Sequence, residues 1–200
     1  MRGRLFTLLL FISCPAWLWA QQFPSELWHE GMVVLANQDT LVGKIKYDLT
    51  KNLIQVNVND KIRAYGAKSI FYFRIYDEKS ETSRQFYVLP YGLVTNYKVP
   101  TIFEVLVEGN ITLLAREYID VRSVPNPYGM GSYPQETLVY DFFFLDRQGK
   151  ITKYHMKRKE LLEVLRDKEK EVAEYMRQHN LRHNNRNDLV RIIAFYNAII

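Results

Sequence analysis

The sequence predicts an α+β protein, in which a mostly antiparallel β sheet, sandwich or partly open barrel is followed by a C-terminal helical appendage of two to three helices. From residue 31 to residue 154, short apolar runs alternate with turn residues, as is typical of antiparallel strands. From Lys157 onward, apolar residues recur at the spacing of an amphipathic helix. We therefore expect a β-rich domain over residues 21–156 and a helical segment packed on the sheet over residues 157–200.

Residues 1–20 are predicted to be an export signal that is cleaved from the mature protein. Arg2 and Arg4 form a basic start, an apolar run follows, and Ala20 ends a suitable cleavage site. The apolar run is shorter than the roughly 20 residues of a membrane-spanning helix, and Pro15 interrupts it. We therefore predict an exported protein, located in the periplasm, at the outer membrane or outside the cell.

Cys14 is the only cysteine of the chain and offers an alternative N-terminus. Residues 11–14 resemble a bacterial lipobox, in which cleavage after Ser13 would leave Cys14 to carry a lipid, although Phe11 replaces the usual leucine. Cleavage after Ala20 instead removes the cysteine, and with it any disulfide, thiol nucleophile or cysteine-bound metal. We expect membrane contact only if Cys14 is lipidated.

The charge of the chain argues against a nucleic-acid partner. The formal charge is +5, and removal of Arg2 and Arg4 lowers it by two. A nucleic-acid-binding protein is expected to carry a clustered basic face. The densest basic run, residues 157–159, is followed directly by Glu160.

The first predicted strands follow a hairpin pattern. Residues 32–35 and 41–47 are rich in apolar side chains, and the polar residues 37–40 separate them. Residues 53–58 and 70–77 each alternate in side-chain type, which predicts two further strands. The apolar residues expected to share one face of the second of these strands are Phe71, Phe73 and Ile75.

The clearest predicted turn is Gly109–Asn110, which joins two apolar runs. A two-residue sequence of this kind favours the turns whose twist matches paired strands. The resulting register would place Val105 opposite Leu114 and Val107 opposite Thr112.

The sheet is expected to continue on both sides of this hairpin. A strand over residues 83–89 precedes it and ends at a proline, and residues 118–124 prolong it. The proline- and glycine-rich residues 125–134 are predicted to form a loop. Residues 137–145 are apolar on both faces, which predicts a buried central strand, and residues 151–154 form the last strand.

Helical spacing governs the C-terminal part. Asp167 is expected to cap the second of two helices, and Asn187 the last helix. The apolar stripe of the last helix consists of Leu189, Ile192, Ile193 and Tyr196.

Three groups of residues resemble a loose group of exported bacterial envelope proteins that has no established activity. They are residues 31–35 with 39–45, residues 103–109 with 112–114, and residues 188–189 with 195–197. The resemblance implies an exported, β-rich protein with a C-terminal helical tail, and it implies no functional site. The opening hairpin also resembles the start of small SH3-like barrels.

The sequence carries no recognisable catalytic, metal or cofactor motif. Glu104 and Glu108 share one face of a strand, but four residues separate them by about 13 Å, which is too far for a glycosidase pair. We interpret them as a solvated edge. His179 and His183 have helical spacing but lack the glutamate of a metalloprotease motif. We therefore expect surface histidines, no bound metal and no cofactor.

Tyrosines in predicted loops form the candidate binding surface. Their flat, amphipathic rings lie next to proline or glycine and could stack on a sugar or a peptide, and tyrosine is common in interfaces. These residues are Tyr91, Tyr97, Tyr128 and Tyr133.

The function predicted from the sequence is that of an exported, non-catalytic binding or structural component of the cell envelope. Its expected partner is another envelope protein or a glycan. One alternative is a hydrolase of envelope glycans or peptides, whose cleft would hold two carboxyl groups within about 10 Å, for example Asp120 and Asp141. The other is a carrier of small apolar ligands, which requires a closed barrel with an unfilled interior.

Overall fold

The computed structural model describes residues 22–92 and 97–200. Within these ranges, ten antiparallel strands form one open sheet, and three α-helices follow it. The predicted α+β class is therefore confirmed. The predicted export signal, including Cys14, lies outside the described residues.

The strands are β1 (His29–Leu35), β2 (Thr40–Asp48), β3 (Leu53–Val58), β4 (Lys61–Gly66), β5 (Ile70–Asp77), β6 (Thr82–Tyr91), β7 (Val99–Val107), β8 (Thr112–Pro125), β9 (Ser132–Leu145) and β10 (Ile151–Tyr154). The helices are α1 (Arg158–Val164), α2 (Glu169–Gln178) and α3 (Arg186–Ile199). A short 3-10 turn at Pro24–Glu26 precedes β1.

The sheet has the strand order β10-β9-β8-β7-β6-β5-β1-β2-β3-β4. From β5 to β10 each strand pairs with the next one in the chain, whereas β1 lies between β5 and β2. The sheet curls strongly. The curl is evident from a hydrogen bond that Tyr47 of β2 donates to Glu117 of β8, although four strands lie between them in the sheet. The curled sheet thus brings residues from distant strands together on its concave face.

Two apolar cores cover this concave face. One lies within the curl and contains Val33, Phe73 and Phe86. In the other, the helices pack on β8 and β9, with Leu113 and Phe142 fully buried beneath them. The four residues of the predicted stripe on α3 are all buried in this second core, so that prediction is confirmed.

The sheet opens where β7 and β8 separate, and the turn between β2 and β3 fills the gap. From Arg116 onward, β8 pairs with β9 alone. The Arg116 guanidinium donates hydrogen bonds to the backbone oxygens of Leu49 and Ile102. The Asn52 side-chain oxygen accepts hydrogen bonds from Arg116 and from the N–H of Ile102. This set of bonds fixes the end of the β2–β3 hairpin against β8.

Beyond the gap, β8 and β9 continue as a hairpin that projects from the body, called here the arm (residues 118–139). The ladder persists to the pair Pro125 and Ser132. The predicted loop over residues 125–134 is therefore too long, since strand pairing leaves only residues 126–131 as the connection. Proline is tolerated because the outer edges of the arm are unpaired. The predicted buried strand over residues 137–145 is buried only at Phe142–Phe144, because its first three residues belong to the arm and the next two are half-buried.

The turn near Gly109–Asn110 follows the predicted register only in part. Val105 lies opposite Leu114 as predicted, but Val107 lies opposite Leu113. The register shift lets the consecutive residues Leu106 and Val107 both pack against the helical core, which regular alternation would not allow.

Other predictions also needed correction. Phe71 is 61% exposed, because it is the extra residue of a bulge in β5. The neighbouring residues Val34 and Leu35 of β1 lie opposite Tyr72 and Ile70, and Ile70 is buried instead. Asn185, and not Asn187, caps α3 by accepting hydrogen bonds from two backbone N–H groups. Asp167 lies in a 3-10 turn before α2 and makes no capping hydrogen bond.

Asn197 anchors α3 to the connection between β7 and β8. Its side chain accepts a hydrogen bond from the Ile111 N–H at 3.1 Å and donates one to the Ile111 carbonyl at 2.8 Å. We expect Asn197→Ala to lower the free energy of unfolding by about 1–3 kcal/mol, because both backbone groups lose their partner. Urea unfolding measures this loss. Asn184→Ala, at an exposed position, is the control, and equal stability of both variants would contradict the anchoring role.

Candidate functional site

A buried group of charged side chains, called here the charged network, lies on the concave face between the two cores. Its centre is Arg84 of β6, which binds Glu104 of β7 through two hydrogen bonds of 2.8 Å, from Nε and from Nη2. Arg84 Nη2 also lies 2.8 Å from Glu117 Oε2, and Nη1 donates to the Tyr47 hydroxyl at 2.7 Å. Asp77 lies 3.9 Å from Arg84 Nη1. All five side chains are buried.

The helical segment joins this network through Arg186 at the start of α3. Arg186 Nη2 donates to Glu104 Oε1 at 2.9 Å, and its guanidinium lies over the ring of Tyr140. Since the Tyr47 hydroxyl donates to Glu117 Oε1, every carboxylate oxygen of Glu104 and Glu117 accepts at least one hydrogen bond from the chain. The network therefore connects β2, β6, β7, β8 and α3.

The protonation states in the network follow from burial and the neighbouring charges. Burial raises the pKa of Tyr47 well above its ordinary value; Arg84 opposes this effect and Glu117 adds to it. Burial also works to lower the pKa of Arg84, but the Glu104 carboxylate outweighs it and the pKa is raised. Tyr47 is therefore a neutral donor and Arg84 a cation at neutral pH.

The raised tyrosine pKa values predict a loss of stability in alkaline solution. Burial raises the pKa of Tyr47 and also that of Tyr154. Above about pH 10 the unfolded chain releases phenolic protons that the folded chain retains, so deprotonation favours unfolding. Urea unfolding at increasing pH should therefore show full tyrosine-linked stability below about pH 10 and a progressive loss above it. Tyr154→Phe should weaken this decline, and an unchanged decline would contradict the assignment.

A cleft of about 580 Å³ opens beside the charged network. Its walls come from the Pro24–Glu26 turn, from the β2–β3 hairpin and from the base of the arm, where Tyr118 and Ile119 line it. Tyr47 and Glu117 are the two members of the charged network that reach the cleft. The cleft is therefore the place where the network could meet a ligand.

The carboxylates that line this cleft already hold donors from the chain. Glu26 accepts a hydrogen bond from the Phe23 N–H, and Asp48 pairs with Lys51 at 3.0 Å. Partial burial works to raise the pKa of Asp48, but the hydrogen bonds and charge of Lys51 outweigh it and lower the pKa. Glu117 is held by the network. The geometry is thus that of a satisfied polar surface.

The structure corrects two sequence-based interpretations of acidic pairs. Glu104 is 2% exposed and not part of a solvated edge, whereas Glu108 is exposed as expected. Asp141 lies opposite Arg116, four residues from Asp120 along β8. That spacing separates Asp120 and Asp141 by about 13 Å, beyond the separation of glycosidase carboxylates. Glu104 and Glu117, which the sequence analysis did not pair, both lie 2.8 Å from Arg84 Nη2.

The four candidate tyrosines occupy three different settings. Tyr128 and Tyr133 lie on the arm and are 96% and 45% exposed. Tyr97 lies in the connection between β6 and β7 and is also exposed. Tyr91 is half-buried and packs edge-to-face against Phe103 and Phe143. Tyr128 and Tyr133 therefore form a shared exposed surface with their neighbours on the arm, whereas Tyr91 belongs to an aromatic cluster.

The end of the arm, called here the arm tip (residues 123–135), carries the two most exposed large apolar side chains of the described residues. Its 13 residues include no charged side chain, and Tyr128 and Met130 are fully exposed. The turn is closed by a hydrogen bond of 3.0 Å from the Asn126 N–H to the Gly131 carbonyl. The Asn126 side chain accepts a second one from the Tyr128 N–H.

The predicted histidine positions do not combine with other ligands. The His179 ring packs against Tyr175. Within residues 22–92 and 97–200, no three histidine, cysteine or acidic side chains come together as metal ligands would.

Comparison with known proteins gives no relative: no protein-family model, curated protein or solved structure matches this chain significantly. In the described part of the chain, no helix has the length and apolar character needed to cross a membrane.

Proposed function

We propose that this chain is an exported, non-catalytic binding component of the bacterial cell envelope and that the arm makes the contact. The observation that carries the proposal is the uncharged arm tip, with Tyr128 and Met130 fully exposed. Exposed apolar surface of this kind marks interaction sites, and tyrosine and methionine are enriched in them.

The cleft supports a binding role better than catalysis. A general acid or base must be able to reach its substrate and exchange a proton with it. Glu104 and Glu117 are close enough together for glycoside hydrolysis. Of these two, however, only Glu117 lines the cleft, and both are held by Arg84. Release of soluble fragments from isolated cell-wall material, abolished by Glu117→Gln, would overturn the non-catalytic proposal.

The apolar-carrier alternative has less support. A carrier of this class needs a closed barrel with an unfilled interior. The described sheet is open, and large side chains, among them Phe73 and Phe86, fill its concave face.

Export is tested by the N-terminus of the protein recovered from a Gram-negative host. We expect the intact mass of the periplasmic protein to correspond to a chain that begins at Gln21, because residues 1–20 have the pattern of a cleaved signal. A mass that corresponds to a lipid-modified chain beginning at Cys14 would show instead that the protein is anchored through that cysteine. Full-length protein confined to the cytoplasm would contradict export.

Binding through the arm is tested by shortening it. Val121 and Glu136 lie directly opposite each other, so an Asn-Gly turn can replace residues 122–135 and leave the hairpin closed. We expect the natural protein to sediment with the envelope fraction and the short-arm variant to be released as soluble, folded protein. Equal sedimentation of the two proteins would contradict the role of the arm.

A further inference from the structure

The arm tip has the chemistry of a shallow membrane anchor, and we infer that it inserts into the interfacial layer of a lipid bilayer. This inference rests on the proposed binding role of the arm and names its partner. It adds a membrane contact that does not depend on lipidation of Cys14.

Side-chain composition supports this choice of partner. The uncharged residues 123–135 are bounded by Arg122 and Glu136, so charge stops where the tip begins. Tyrosine favours the boundary between water and hydrocarbon, because its ring is apolar and its hydroxyl is polar. Met130 supplies a flexible apolar side chain between Tyr128 and Tyr133.

The backbone of the tip is also suited to an environment poor in water. A polar group without a hydrogen-bond partner is costly in lipid. Hydrogen bonds within the tip join Asn126 to Gly131 and to Tyr128, and the Ser123 and Ser132 hydroxyls bond to each other at 2.7 Å. The tip also contains Pro125, Pro127 and Pro134, and proline has no N–H that would need a partner.

The same prolines disfavour a protein strand as the partner. Addition of a strand requires a continuous row of N–H and carbonyl groups along an edge, and proline interrupts that row. Edge pairing is therefore weakest at the tip, where Tyr128 and Met130 are fully exposed.

The position of the tip permits insertion without disturbing the body. Eight residues of β8, from 118 to 125, belong to the arm and pair with β9 alone, and at about 3.3 Å per residue they span roughly 26 Å. The tip can thus reach a bilayer surface while the charged network and the helices remain outside it.

The test is flotation of the exported, purified protein with vesicles of phosphatidylcholine, alone or mixed with phosphatidylglycerol. We expect binding to both, because the tip is uncharged. The variant Tyr128→Ser/Met130→Ser/Tyr133→Ser should bind roughly tenfold more weakly, since it loses apolar surface that would leave water on insertion. The matched control Val42→Ser/Ile62→Ser/Phe71→Ser removes three exposed apolar side chains from the body and should bind like the natural protein.

Several outcomes would overturn the lipid proposal: no flotation with either vesicle, flotation with anionic vesicles alone that salt abolishes, or equal losses in the two triple variants. Circular dichroism establishes that both variants are folded. If sedimentation with the envelope still requires the arm but vesicles do not bind, the partner is a protein or a glycan and the proposed function stands. If sedimentation does not require the arm, the proposed function fails as well.

Discussion

Replacement of Arg84 by methionine should lower the free energy of unfolding by about 3–5 kcal/mol, the cost of removing one partner from a buried ion pair. Arg84 donates to Glu104, Glu117 and Tyr47. Without the guanidinium, two buried carboxylates lose a cationic partner. Arg186 remains near Glu104, but Glu117 keeps the Tyr47 hydroxyl as its one hydrogen-bond donor.

Two further variants serve as comparisons for Arg84→Met in urea unfolding. Arg84→Lys keeps the charge but loses the planar fork that binds Glu104 at two points, so its loss should be intermediate. Arg122→Met removes an exposed arginine on the arm that pairs with Asp120, and its effect should stay within about 1 kcal/mol. If Arg84→Met is as stable as Arg122→Met, the charged network does not stabilise the fold.

Ile192→Ala should lower the free energy of unfolding by about 2–5 kcal/mol, because it leaves a cavity in a core that can relax only in part. Ile192 lies on α3 and is fully buried in the core that the helices form with the sheet residues Leu113 and Phe142. A loss of this size would be a large share of the roughly 5–15 kcal/mol that stabilise a typical domain.

The control for this variant is Ile200→Ala, the same chemical change at an exposed position one residue beyond α3. Its effect should be within about 0.5 kcal/mol. The comparison tests whether the apolar stripe of α3 serves the chain's own core. A small loss for Ile192→Ala, together with an intact sheet, would instead make the stripe a surface for a partner.

Local alternation of side chains was enough to predict several strands. The predicted bounds of β3 and β5 agree with the structure, because side-chain type alternates along most of each strand. β4 was missed since most of its side chains are exposed and it lacks an apolar face. The error at Phe71 arose because this residue is the extra residue of a bulge in β5, which shows only in the pairing of β5 with β1.

The charged network could not be predicted in the same way. Arg84 is 20 residues from Glu104 and 33 residues from Glu117 in sequence, and the curl of the sheet brings them together. In the sequence, Glu104 shares one strand face with Glu108, and two glutamates on one face are typical of a solvent-exposed face. One sequence signal could have indicated the network. Arg84 and Glu104 lie on otherwise apolar strand faces, where a charged side chain needs a buried partner.

The arm was partly visible in the sequence. Its prolines and glycines correctly indicated an exposed connection, but they also hid the strand pairing on either side of it. Pro134 belongs to β9, because a proline on an unpaired edge leaves the pairing with the other strand intact.

The central place of β1 has a consequence for the nascent chain. β1 is made first, yet its neighbour β5 begins at Ile70. Until residues 70–77 have emerged, β1 can pair with β2 but leaves its other edge open, and its sequence from Met32 to Leu35 is apolar. An open apolar edge is a template for aggregation. A chain that has emerged only as far as Ser69 therefore leaves open one edge of a strand that will later lie inside the sheet.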